Sequence, residues 1–165
     1  MNETISMTST LMPALKDKKI LGIDPGYGRL GYALIIKDRL LEAGCFETPK
    51  NMPYENRLQA VRGFFENLLK KHQPALLALE KLFLNTNQKT AMRVAETRGA
   101  VLSLAQGLEV REFSPPEVKL ATCGYGRADK KQVEKMVRLI FKTSLTLNDD
   151  ALDAAAIAFT AQGRI

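Results

Sequence analysis

The chain has no tryptophan, a single histidine (His72) and only two cysteines, Cys45 and Cys123, in 165 residues. The cysteines lie far apart and outside any CxxC pattern, so they offer neither a disulfide scaffold nor a zinc site, and a reducing cytoplasm is the natural compartment. His72 sits beside Gln73 and Pro74, where it reads as a residue at the end of a helix interacting with the dipole rather than as a catalytic base. No apolar run reaches the roughly 20 residues that a membrane span requires. Residues 1–18 lack the basic start and apolar centre of a signal peptide. They read as a flexible extension ahead of one domain over residues 19–165. Internal repeats, linkers and low-complexity tracts are missing too.

What is present is an ordinary globular composition, 45% hydrophobic and 25% charged. Lys and Arg number 24 against 18 Asp and Glu, a formal net charge of +6, which suits a polyanionic partner without proving one. Two apolar runs, Ile20 to Asp24 and Gly31 to Lys37, predict a hairpin, with a third strand over Leu40 to Glu47. Pro53 opens a helix with Leu58, Val61, Phe64, Phe65, Leu68 and Leu69 at helical spacing up to Lys71. Ala75 to Glu80 is too short for a helix and reads as a strand. A capping-box spacing at Asn85 to Gln88 predicts a helix to about Gln106 with Ala91, Val94, Ala95, Val101 and Leu102 inward. Leu108 to Phe113 is a fifth strand. Ser114 to Glu117 caps a short helix through Leu120, Asp129 to Gln132 caps another, and the last begins at Asn148 or Asp149. This order predicts an α/β domain, a mixed five-stranded sheet flanked by helices.

Four acids stand at the ends of elements. Asp24 and Glu80 each close a run that reads as a buried strand. If those strands are parallel neighbours, both carboxylates emerge at the carboxyl edge of the sheet, where open α/β sheets place ligands. Asp150 and Asp153 are one helical turn apart on one face. Taken singly, Asp24 is equally a turn-forming acid before Pro25-Gly26, and Asp149 and Asp150 read first as helix-start acids. Asp153 is harder to dismiss, because only alanine and aliphatic residues surround it downstream and an unpaired buried charge is costly. Together the four would repel one another, and a hard divalent cation with oxygen ligands relieves this. Two such ions about 4 Å apart suit phosphodiester cleavage. The loop after Asp24 has neither GxxxxGK[ST] nor GxGxxG. Gly26, Gly28 and Gly31 are therefore expected to allow a tight turn and the close approach of a ligand backbone.

A basic stretch begins within the glycine loop "CGYGRA" at Arg127 and continues through Lys130, Lys131, Lys135 and Arg138, with Lys119 just before the loop. Such a run is a solvated face unless a polyanion must be drawn to an acidic site, in which case phosphate contact is preferred. Phe83, flanked by Lys81, Asn85 and Asn87, reads as an exposed aromatic available for stacking, with burial in the core as the alternative.

These motifs, in this order, closely resemble those of the bacterial RuvC-type Holliday-junction resolvases, nucleases of the ribonuclease-H-like superfamily. "GIDPGYGRLGYAL" resembles the family's opening strand with Asp24 at its metal-binding aspartate, "EKLFLNTN" supplies Glu80 and Phe83, and "DALDAAAIAF" supplies Asp150 and Asp153. "SPPEVKLATCGYGRADKKQV" matches the segment carrying the family's lysines, here Lys119 and Lys130. The resemblance runs from about Lys19 to the end. It implies a ribonuclease-H-like fold and a homodimer that binds four-way DNA junctions and nicks two strands symmetrically, serving recombination and repair. It further implies Mg²⁺ or Mn²⁺ held by Asp24, Glu80, Asp150 and Asp153, with Lys119 and Lys130 near the cut and Phe83 against a base. A branch-migration motor complex is a further partner it leaves open. Two rivals remain: a related nuclease acting on another nucleic acid, and a junction-binding protein that does not cleave.

Overall fold

The computed structural model describes residues 18–26, 28–82, 88–143 and 146–163. Phe83, most of the Asn85 to Gln88 cap and all of the expected extension but Lys18 lie outside them. Strands β1 (Ile20–Pro25), β2 (Arg29–Ile36) and β3 (Arg39–Glu47) precede helix α1 (Tyr54–His72). β4 (Leu76–Glu80), α2 (Gln88–Leu102) and β5 (Glu109–Phe113) follow, and then α3 (Pro115–Cys123), α4 (Lys130–Ile140) and α5 (Asp149–Gly163). The five strands form one mixed sheet in the order β3-β2-β1-β4-β5. β1 pairs antiparallel with β2 and parallel with β4, and β4 and β5 are parallel.

The unbroken apolar runs of β1 and β4 reflect burial on both faces. Strand period two divides them cleanly. Leu21 and Ile23 of β1, with Leu77 and Leu79 of β4, pack on Val61, Phe65 and Leu68 of α1. Ile20, Leu76 and Ala78 face the opposite way, toward α5 and α4. By the same alternation Asp24 and Glu80 belong to the α5 side.

That side carries small residues, and the reason is steric. A Cβ at Gly22 would lie 2.2 Å from the Ala154 carbonyl oxygen, and one at Gly31 would lie 2.1 Å from that of Asp150. Helix α5 therefore rests backbone against backbone on β1 and β2, and its own inward residues Ala151, Ala154, Ala155 and Ala158 are fully buried. The close approach expected at Gly31 is thus made by α5 and not by a ligand. Gly28 takes the left-handed conformation (φ 80°) and is covered by the Arg57 guanidinium.

Two helix boundaries differ from expectation. α2 ends at Leu102, because the chain tightens there through Leu104 N–H to Val101 O and Ala105 N–H to Leu102 O bonds and then turns at Gly107 (φ 83°). Of its expected inner face only Val101 is buried, together with Thr97; Ala91, Val94, Ala95 and Leu102 are half-buried. α3 continues past Leu120 to Cys123 because Gly124 supplies the left-handed C-cap, its N–H donating to Leu120 O at 2.9 Å. No helix among the described residues is long and apolar enough to cross a membrane.

Candidate active site

Ile23 of β1 is in register with Leu79 of β4, so the next residue of each strand, Asp24 and Glu80, emerges at the same edge. The chain leaves that edge at once, with Gly26 N–H donating to Asp24 O at 3.1 Å. The first turn of α5 lies over the strand ends and brings Asp153 to them. Its start is fixed by the Asn148 side chain, whose Oδ1 accepts from Ala151 N–H at 3.0 Å.

α3 and α4 close the far wall. α3 is opened by Ser114, whose N–H donates to the Glu117 carboxylate at 2.7 Å. In α4 the Asp129 carboxylate accepts from Gln132 N–H at 2.9 Å while the Gln132 side chain accepts from Asp129 N–H at 2.8 Å. These caps set the positions of Lys119 and Lys130. The result is a pocket of about 210 Å³ with Asp24, Glu80, Asp153, Lys119 and Lys130 in its walls and Val118, Val133 and Ile157 as its apolar lining.

The charge in this pocket is out of balance. Burial, and then the neighbouring Asp153, Glu80 and Asp150 carboxylates, push Asp24 up to about 7, against a smaller opposing pull from Lys130. Burial and Asp153 raise Glu80, with Lys119 drawing it back. Asp153 is raised as well, mainly by burial. Lys130 Nζ lies 2.9 Å from Asp149 and 3.8 Å from Asp153, and the hydrogen bond to Asp149 raises the lysine further. Asp149 is thus a partner of Lys130 at the helix start.

Asp150 is near enough to raise Asp24 but does not line the pocket. Its Oδ2 accepts from Arg29 Nη2 at 2.6 Å and from Cys45 Sγ at 3.5 Å, on the β2–β3 side. With one acid held by Arg29 and another by Lys130, no three Asp, Glu, His or Cys side chains among the described residues meet the spacing of a metal cage. The donor set itself is all oxygen and suits a hard divalent cation. A carboxyl raised by burial and by acidic neighbours, as Asp24 is, marks a site short of positive charge.

The family described as Crossover junction endodeoxyribonuclease RuvC matches residues 20–161. The chain belongs to the RuvC family. A relative of that description from Desulfitobacterium hafniense is 44% identical over 146 residues, covering 84% of this chain and 88% of the relative. One from Thermosipho melanesiensis is 42% identical over 148 residues, covering 86% and 94%. Among solved structures, Thermus thermophilus RuvC in complex with a Holliday junction substrate superimposes with a TM-score of 0.83 at 30% identity, over 88% of this chain and 96% of that one. The fold is therefore ribonuclease-H-like, as RuvC is, and the chain is a hydrolytic endodeoxyribonuclease of DNA recombination and repair.

Of the RuvC-like residues singled out in the sequence, Asp24, Glu80, Asp153, Lys119 and Lys130 meet in one pocket and Asp150 stands beside it. Arg127 and Lys131 are exposed and outside its walls, and Arg138 is bonded to Glu134 within α4 at 3.1 Å. Sequence reasoning missed the support beneath the hairpin. Arg57 Nε donates to Thr48 Oγ1 at 2.7 Å, and the Thr48 N–H donates to Gly28 O at 3.0 Å. An arginine in helical register with Val61, Phe65 and Leu68 was the available signal. The pairing of Arg29 with Asp150 had none.

Proposed function

We propose that this chain nicks four-way DNA junctions symmetrically, yielding ends that can be rejoined during homologous recombination and repair. The observation that carries the reading is the pocket in which three raised carboxylates face two lysines at the carboxyl edge of the sheet. Asp24, Glu80, Asp153 and, after a side-chain rotation, Asp150 would hold divalent cations, two per site. Mg²⁺, with Mn²⁺ as a substitute, would supply there the charge needed to activate a water and to stabilise a departing oxygen.

The chain's own contribution is placement. Lys119 and Lys130 draw the scissile phosphate to an otherwise acidic pocket and offset charge developing on it. Arg127 and Lys131 lie outside the pocket on exposed surface, where they extend the phosphate-binding track. Phe83 is assigned to stacking on a base, on the strength of its place in the motif alone. The half-buried face of α2, with Met92 63% exposed, suits a second copy of the chain and so the two nicks of a symmetric cut. A branch-migration motor as partner and a cytoplasmic location complete the reading.

The test is a nicking assay on a four-way junction, a linear duplex and an RNA–DNA hybrid, with and without Mg²⁺, for the native chain and Asp24→Asn. Junction-selective, Mg²⁺-dependent nicking lost in the variant, with junction affinity kept, is expected. Preference for the hybrid would move the chain to another nucleic acid. Junction binding unaffected by Mg²⁺ and without nicking would make it a binding protein.

A further inference from the structure

Asp150 has its backbone fixed and its carboxylate not. The carbonyl oxygen of Asp150 rests on Gly31, where there is no room for a Cβ. The helix start therefore cannot slide, and what can move is the side chain. The pocket of Asp24, Glu80 and Asp153, which Asp150 does not line, is within electrostatic reach of it, while its direct partners are Arg29 Nη2 at 2.6 Å and Cys45 Sγ at 3.5 Å. Both donors come from one face of the sheet, since Gly31, two residues on from Arg29, is directly opposite Cys45.

Arg29 stands on a rigid base. It follows Gly28, whose carbonyl oxygen accepts from both the N–H and the Oγ1 of buried Thr48, at 3.0 and 3.2 Å, and Thr48 is itself held by Arg57. The Arg29 side chain is nevertheless 47% exposed, at the edge where Lys119 and Lys130 line the pocket. A planar fork that pairs with one carboxylate oxygen pairs as well with a phosphate.

We infer that Arg29 is a latch on Asp150. In the DNA-free protein it holds the carboxylate away from the cation site; a backbone phosphate of the bound strand takes the guanidinium and releases Asp150. Cation loading and strand engagement are then linked, each favouring the other by the same factor. This rests on the reading above that Asp150 is a cation ligand.

Ca²⁺ binding to the full chain, measured by calorimetry with and without a four-way junction, tests it without reference to cleavage. A half-exposed ion pair supports a modest effect. Arg29→Gln is expected to bind Ca²⁺ roughly two- to five-fold more tightly than the native chain when DNA is absent. Adding junction should tighten Ca²⁺ binding in the native chain by more than in the variant, and Arg29→Lys should fall between. Equal or weaker Ca²⁺ binding by Arg29→Gln in the absence of DNA, or equal tightening of both chains by the junction, overturns the latch. Asp150→Asn separates the two readings. If it weakens Ca²⁺ binding while Arg29→Gln behaves as the native chain, the latch fails and the ligand assignment stands. If it leaves Ca²⁺ binding unchanged with the junction bound, the ligand assignment fails and the latch with it.

Discussion

Removing one negative charge from the pocket should stabilise the metal-free protein, and only above acid pH. Asp24 is displaced from an ordinary 3.8 to about 7, so the folded chain holds its proton more tightly than the unfolded chain does. The associated stability is fully present below pH 3.8 and is lost as pH rises to about 7. A tenfold change in proton affinity is worth about 1.4 kcal/mol, which sets a ceiling of roughly 4 kcal/mol across that window. Between pH 5 and pH 8 the ceiling is about 2 to 3 kcal/mol. Water entering the pocket and closer approach of Lys130 will lower it. Asp24→Asn keeps the shape and removes the titration. Thermal unfolding in EDTA at pH 5 and pH 8 should therefore show a steeper fall in the native chain than in the variant, the extra loss being about 1 to 3 kcal/mol, or roughly 3 to 8 °C in a protein of this size. Identical pH dependence in the two chains would refute the argument that burial and converging acids govern Asp24.

Mg²⁺ added at pH 8 should raise the melting temperature of the native chain in a concentration-dependent way, through binding to the folded state alone, and raise that of Asp24→Asn less. Gly31→Ala forces a methyl group against the Asp150 carbonyl, so a loss of about 1 to 3 kcal/mol in urea unfolding is expected, accompanied by loss of nicking. Ser114→Ala removes a partner of Glu117 at the head of α3; about 1 kcal/mol of stability should go, with nicking reduced because Lys119 is less firmly held. Lys130→Gln should leave junction affinity within a few-fold and slow nicking much more strongly, measurable in single-turnover reactions.

Much of this was legible because two separate periodicities point at the same place. Alternation in β1 and β4 puts Asp24 and Glu80 on one face of the sheet, and the alanine-rich face of α5 could be satisfied only by direct contact with that face, which delivers Asp153. The helix ends were less legible where glycine decides them. Gly124 extends α3 as a left-handed cap, although it reads in sequence as the start of a loop, and Gly107 lies past a helix that had already tightened at Leu102. Asp150 shows where local pattern stops being informative. Its spacing from Asp153 puts the two one turn apart on α5, yet which partner its carboxylate takes depends on Arg29 and Cys45, brought in by strand pairing that no local window contains.

The backbone-to-backbone contact of α5 with the sheet at Gly22 and Gly31 separates two tasks that most cores combine. On the α1 side the sheet meets bulky residues that can exchange volume among themselves, so substitutions at Val61, Phe65 or Leu68 should alter how firmly the protein is folded and leave the acids at the same spacing. On the α5 side the distance from β1 to the helix is set by the thickness of two peptide backbones at Gly22 and Gly31. That distance acts as a gauge: no rotamer can adjust it, and the gap between Asp24 and Asp153 inherits its constancy.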